Sequence, residues 1–271
     1  EAHRLAQLRL ALLPPWRDDP AAGLELKDAL HVATFCALGA GDLTTAQDMA
    51  RRQHELPFLR ERRDLADDEL MAPAALAGHW DEVLAAGQRF AEDWTAAGRP
   101  AAPGRGLAPA AVALAHGLRG EHEERQHWLQ ILAQVRGVAE AGASRGSGYG
   151  ELFEALVDLH EDDPQAALGV LAAAQRTGLF PLVFTQWIAA VQAEAAVLAG
   201  APDAGALLAQ ARSASAGNPM AIAITRRAAG LRSADHAAVT AAAAEFAIAG
   251  SAYQRDRTRA LARRLPAGKR P

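Results

Sequence analysis

At 271 residues the chain exceeds one ordinary compact domain, yet it suits a single array of stacked repeats. Its net charge of −4 gives no global pull toward nucleic acid, and an aromatic content of 5% argues against the aromatic-lined cavity of a terpene-type helical enzyme. A single cysteine, Cys36, excludes an internal disulfide framework and fits a reducing cytoplasm, the expected location.

Taken in chain order, the first residues hold a short helix broken at Pro14-Pro15, then Trp16-Arg-Asp-Asp-Pro20. Residues 1–23 read as a partial N-terminal repeat or cap. The chain opens on Glu1 rather than Met, which reads as a boundary within a longer protein, and no secretory leader is recognised.

Helix periodicity then places six pairs over residues 24–250. The first is Leu24–Leu38 with Thr45–Leu56, where Thr44-Thr-Ala-Gln47 matches a capping box. Asp67–Ala77 pairs with Asp81–Ala97, and Ala108–Arg119 with Glu121–Val138. Glu151–His160 pairs with Pro164–Arg176, Asp163 capping and Pro164 taking the first helical position. Leu182–Ala199 pairs with Pro202–Ala216, and Pro219–Leu231 with Ala234–Ala249, where Asn218-Pro219 repeats the cap-then-proline device.

A last helix, Ala252–Leu265, opens with the box Ser251-Ala-Tyr-Gln254. It is Arg-rich and reads as a polar terminal cap facing no further repeat, with residues 266–271 as a tail. No run alternates apolar and polar residues in the manner of a strand. The most apolar helix, Leu182–Leu198, carries Gln186, Gln192 and Glu194, which a bilayer centre would penalise, so no membrane association is expected.

One phrase recurs where a pair's first helix gives way to its second: Leu, a variable residue, Gly, two more, then an acid. It stands as Leu76–Gly78–Asp81, Leu118–Gly120–Glu123 and Leu198–Gly200–Asp203, with looser copies at Gly41-Asp42, Glu161–Asp163 and Ser233–Asp235. Taking Gly41, Gly78, Gly120, Glu161, Gly200 and Ser233 as markers, the steps are 37, 42, 41, 39 and 33 residues. Such a period is that of stacked helical hairpins. The fold class predicted is therefore all-α: an α-solenoid of about six antiparallel, tetratricopeptide-like pairs with a C-terminal capping helix, forming one domain over 1–271.

The chemistry-bearing patterns are sparse. No phosphate loop, dinucleotide fingerprint or Gly-x-Ser-x-Gly elbow is present. His116, His122 and His127 lie close in sequence, but the five-residue step between the last two points them apart on a helix, so no metal and no cofactor is expected. The acidic pairs Asp18-Asp19, Asp67-Asp68 and Asp162-Asp163 sit at helix starts or turns, where capping accounts for them. Two arginine runs, Arg51–Arg63 and Arg255–Arg264, read as solvated faces and ion pairs with Asp64, Asp67 and Asp68. Trp80, Trp94 and Trp128 read as packing between repeats. The loops Gly98–Gly106 and Ala141–Gly148 fall on the same edge of the stack and read as surface connections.

In tetratricopeptide-like stacks the first helices line the concave binding face. Their polar and aromatic residues are the candidate ligand-binding set: His31 and Phe35, His116 and Arg119, and Trp187 and Glu194, which share a stripe seven residues apart.

Trp187-Ile-Ala-Ala-Val-Gln-Ala-Glu-Ala-Ala-Val-Leu-Ala-Gly200 and Ala244-Glu-Phe-Ala-Ile-Ala-Gly-Ser-Ala-Tyr253, continuing through Arg259, resemble the helical-repeat region of large bacterial LuxR-type regulators, the MalT-like signal-transduction ATPases. The resemblance covers most of residues 24–265. It implies a cytoplasmic sensor arm that binds a peptide, a protein partner or a small effector and governs an ATPase and a DNA-binding domain. Neither of those domains has its motifs in this chain, and no catalytic residue carries over. The function expected is a non-enzymatic binding or sensor module of a transcriptional regulator, with direct nucleic-acid binding unlooked for. The alternatives are a helical-repeat enzyme on nucleic acid, similar to a DNA glycosylase, and a small-molecule sequestering protein.

Overall fold

The computed structural model describes residues 1–13, 20–57, 63–139, 147–174 and 181–265. Pro14-Pro15 and the Trp16–Asp19 stretch, Arg60 and Arg62, most of the loop from Ala141, Arg176 and the tail 266–271 lie outside them. So do the side chains of residues 63–68, and with them the ion pairs expected at Asp64, Asp67 and Asp68.

The described residues form α-helices and contain no strand. In order these are α1 (Ala2–Leu12), α2 (Pro20–Gly39), α3 (Leu43–His54), α4 (Arg63–Ala77) and α5 (Trp80–Ala96). Then come α6 (Leu107–Leu118), α7 (His122–Arg136), α8 (Tyr149–His160), α9 (Pro164–Ala174) and α10 (Pro181–Leu198). The last are α11 (Ala204–Ala214), α12 (Pro219–Arg232), α13 (His236–Ile248) and α14 (Ala252–Arg264). No helix among the described residues is long and apolar enough to cross a membrane.

The recurring phrase has a definite backbone meaning. At each of its six occurrences an N–H closes a bond to the carbonyl five residues back: Asp42 to Ala37, His79 to Ala74, Glu121 to His116, Asp163 to Asp158, Ala201 to Ala196 and Asp235 to Gly230. This bond ends a helix around one left-handed residue. Gly41, Gly78, Gly120 and Gly200 supply that residue with φ of 72°, 97°, 75° and 64°; in the looser copies it is Asp162 and Ala234. The acid then starts the next helix. Asp42, Asp163 and Asp235 accept from the N–H groups of Thr45, Ala166 and Ala238. The cap of α3 is thus Asp42, in place of the box expected from Thr44. Asn218 caps α12 and Ser251 caps α14 as read from the sequence.

The two helices joined by each such turn pack on one another. The first helices also pack in succession: α2 on α4, α4 on α6, α6 on α8, α8 on α10 and α10 on α12. Alanine and glycine permit this close approach. On α6 every residue except Leu107 and His116 is buried, and on α8 all but Glu154, Asp158 and His160. The expected concave binding face is therefore packed shut along these two helices.

Distant helices meet as well. α10 returns to α2, and α14 reaches α4. The contacts are chemically alike, because polar side chains late in the chain reach carbonyls in the last turns of early helices. The Trp187 indole N–H donates to Leu38 O at 3.0 Å, Asn218 Nδ2 to Gly39 O at 2.9 Å, Ser251 Oγ to Leu76 O at 2.8 Å and Arg257 Nη2 to Leu159 O at 3.3 Å. Last-turn carbonyls are short of partners within their own helix. Burying Trp187, which is 0% exposed, is worth roughly 4–6 kcal/mol as an upper bound on aromatic transfer. Gly41 makes the Asn218 contact possible: a Cβ there would stand 2.1 Å from Asn218 Oδ1.

Candidate functional site

The α14 helix does not stand clear of the rest as a terminal cap. Its first two turns lie across the C-terminal ends of α4, α6 and α8, and a cleft of about 500 Å³ opens between them. Gly78 sets the floor height at one side. Its φ of 97° is left-handed, and an added Cβ would lie 3.1 Å from the Tyr253 backbone N, so α14 approaches as closely as glycine permits.

Aromatic and ionisable groups from separate elements converge on this cleft. The rings of Trp80 and Tyr253 are 5.7 Å apart and tilted by 54°, and those of His160 and Tyr253 are 5.7 Å apart. The Tyr253 hydroxyl is 3.4 Å from His160 Nδ1. Trp80 is held by its own N–H, which donates to Ala75 O at 3.3 Å. Leu118, Leu159 and Leu261 supply apolar wall. Arg264 closes one end, its Nη1 donating to Asp162 Oδ1 at 2.7 Å.

Beneath the cleft lies a buried charge cluster. Glu194, with a side chain only 1% exposed, accepts from Arg227 Nη2 and from Arg257 Nη1, each at 2.5 Å. Arg227 also donates to Gln254 Oε1 and Thr258 Oγ1, both at 2.8 Å, and lies 4.7 Å from the centre of the Phe246 ring. The Arg257 side chain is 8% exposed and lines the cleft. One carboxylate thus faces two guanidiniums, leaving one positive charge in excess.

Protonation states reflect these surroundings. Burial works to raise the Glu194 carboxyl, but the two guanidiniums outweigh it and hold it below its ordinary value. Burial also works against the Arg257 charge; Glu194 reverses this and holds Arg257 above the usual arginine value. Tyr253 is pushed up to about 12, chiefly by burial, so its phenol stays a proton donor at neutral pH. Burial first and Arg257 second lower His160.

The six residues singled out from the sequence fall into separate settings. His31 Nδ1 lies 2.6 Å from Glu69 Oε1, between α2 and α4, and its ring is 4.9 Å from that of Phe35. The hydrogen bond to Glu69 raises the His31 pKa. His116 Nδ1 is 2.6 Å from Glu121 Oε2, and Arg119 donates to the same carboxylate and to Asp81. Trp187 is sealed against α2, and Glu194 lies under the cleft, so their shared stripe serves two different contacts. Of the six, only Glu194 reaches the cleft's surroundings, beneath Arg257, and none lines it.

Trp80, Tyr253, His160 and Arg257 were not marked by sequence as a group. A signal existed: a glutamate in the most apolar helix demands a cation, and α12 and α14 hold the candidates. The second arginine run is not wholly the solvated face expected: Arg255 and Arg259 pair with Asp256 and Arg264 with Asp162, whereas Arg257 is drawn into the interior by Glu194. Trp94 and Trp128 are buried packing residues, the former donating to Pro100 O at 2.9 Å. His122 faces Glu161 at 3.5 Å and His127 lies edge-on to Trp128, and no three metal-ligating side chains come together among the described residues.

Comparison with family models, with curated proteins and with solved structures finds no match to this chain.

Proposed function

We propose that this chain is a non-enzymatic binding module built as a stack of about six antiparallel, tetratricopeptide-like helix pairs, and that it takes a small effector in the cleft beneath α14. The same turn used six times, at the six markers, supports the stacked-pair reading. So does the order in which the first helices pack. The observation that carries the binding reading is the cleft itself, where Trp80, Tyr253, His160 and Arg257 converge over a cluster with one excess positive charge. A planar body can lie against the two rings while a carboxylate or phosphate meets Arg257. This is the chemistry of recognition rather than turnover: the phenol keeps its proton, and both arginines are tied to Glu194.

Occupancy would act through α14. That helix is held by contacts to the ends of α4 and α8, and a ligand bridging the same surfaces favours its docked position over any released one. This fits the sensor arm of LuxR-type, MalT-like regulators and a cytoplasmic setting. The nucleic-acid enzyme is the weaker alternative, because Arg255, Arg257, Arg259 and Arg264 of α14 have carboxylate partners.

A thermal-shift screen of aromatic carboxylates and phosphates tests the proposal. A true ligand raises the melting temperature of the wild-type chain by mass action, and the rise disappears in Trp80→Ala. A panel that leaves the wild type unshifted, or a shift that survives Trp80→Ala unchanged, overturns it.

A further inference from the structure

A second depression, of about 900 Å³, is formed by α11, α12 and α13 and shares no residue with the cleft. We infer that this trough, floored by α12 and walled by α11 and α13, docks an acidic amphipathic helix of a partner protein.

The shape comes from residue size at helical spacing. Gly205, Leu208 and Arg212 stand at i, i+3 and i+7 on α11, and Ala238, Ala241 and Glu245 do the same on α13. Ala229 and Gly230 leave the floor low between them. Both walls pack on α12, so the trough has three helical sides and an open fourth, the place of a docked helix. The helical spacing on α13 continues to Ile248, which is 86% exposed.

Charge selects the occupant. Arg226 is engaged by Glu245. Among the described residues, neither Arg212 nor Arg232 has a carboxylate partner, and both line the trough. The Arg232 guanidinium lies over Gly205, within 2.6 Å of where a Cβ would stand. From that level to Arg212 is seven residues of α11, about 10 Å at the α-helical rise. The two free cations therefore sit about two turns apart along the trough. A docked helix meets both with carboxylates seven residues apart on the edge of its apolar face.

The test uses fluorescence anisotropy with the full chain and a labelled alanine–leucine amphipathic peptide carrying two glutamates seven residues apart. The glutamate peptide should bind the wild type about ten-fold more tightly than its glutamine counterpart, and added salt should narrow the difference. The double variant Arg212→Glu/Arg232→Glu, checked for helicity by circular dichroism, should lose the glutamate peptide and gain a counterpart with lysines at the same two positions. The wild-type comparison of peptides stands even if that variant does not fold. Equal affinity for the glutamate and glutamine peptides overturns the inference. So does competition by inorganic polyphosphate at equal charge, or self-association of the chain abolished by the double variant. Trp80→Ala should leave peptide binding intact, which separates this site's failure from that of the cleft.

Discussion

Replacing Glu194 by Gln removes one negative charge and almost no volume, so its cost reports on charge alone. The carboxylate is 1% exposed and serves Arg227 and Arg257 together. Without it two guanidiniums remain in the interior with only neutral acceptors, Gln254 and Thr258 for Arg227 and Leu159 O for Arg257. Breaking a buried ion pair by deleting one partner costs on the order of 3–5 kcal/mol, because the survivor's charge is left uncompensated. Against a total stability of about 5–15 kcal/mol, that is about a fifth of the margin at the least. Arg257→Leu makes the contrast. It leaves Glu194 and Arg227 as a matched pair, loses the bond to Leu159 O and cancels the excess charge, so it should cost only about 1–2 kcal/mol.

Urea unfolding of the wild type and both variants at neutral pH measures the two costs. The pH dependence supplies a second readout. Glu194 is held below its ordinary value of 4.5 in the folded chain, so its stabilisation is present above that value and is lost as pH falls through the lower, folded one. Glu194→Gln should lack this acid loss. A cost below about 1 kcal/mol for Glu194→Gln, or an equal cost for Arg257→Leu, would refute the reasoning.

Two further substitutions probe other parts of the structure. Asp158 is raised from 3.8 to about 6, first by burial and then by Glu154, and its Oδ2 is buried with no hydrogen-bond partner among the described residues. Its ionised form therefore costs stability above about pH 6, and Asp158→Asn should gain about 1 kcal/mol at pH 7.5 after solvent screening. In denaturant titrations near pH 4 that gain should vanish; a gain that is equal at both pH values contradicts the assignment. Gly78→Ala should cost about 1–2 kcal/mol through its left-handed φ and press on the Tyr253 backbone. It should also abolish the ligand-induced thermal shift, and a variant that melts lower yet keeps that shift would uncouple Gly78 from the cleft.

The sequence made the helices legible because the phrase at the markers is local chemistry. A leucine ends an apolar stripe, a glycine takes the left-handed step and an acid stands at the start of the next helix. All three lie within a few residues of each other. Two of the looser copies are harder to place, since Asp162 and Ala234, not glycine, take that step. The cap of α3 went astray for a similar reason, Asp42 competing with the hydroxyl of Thr44 two positions on.

The way back was not legible. Trp187 and Glu194 read from the sequence as candidate ligand-binding residues, but an indole N–H or a carboxylate in an apolar stripe is equally suited to a ligand or to a distant piece of chain. The partners settle the matter, and they stand far off in sequence: Leu38 for Trp187, Arg227 and Arg257 for Glu194. Periodicity reports which face of a helix is covered and says nothing of what covers it.

The same logic explains why the cleft is where it is. Helix ends, unlike helix sides, carry carbonyls that packing alone cannot satisfy. In this fold the ends of α2, α4 and α8 are supplied by Trp187, Asn218, Ser251 and Arg257, groups that must come in from elsewhere and cannot tile a surface as methyl groups do. Where α14 spans several such ends at once, its bonds fix the helix at only a few points. Between them the surfaces stay apart, and the gap inherits the aromatic and charged groups that made the attachment. A site of mixed polarity at the helix ends, beside sides packed tightly with alanine, is thus what this sequence produces when its last helix closes over the ends of α4, α6 and α8.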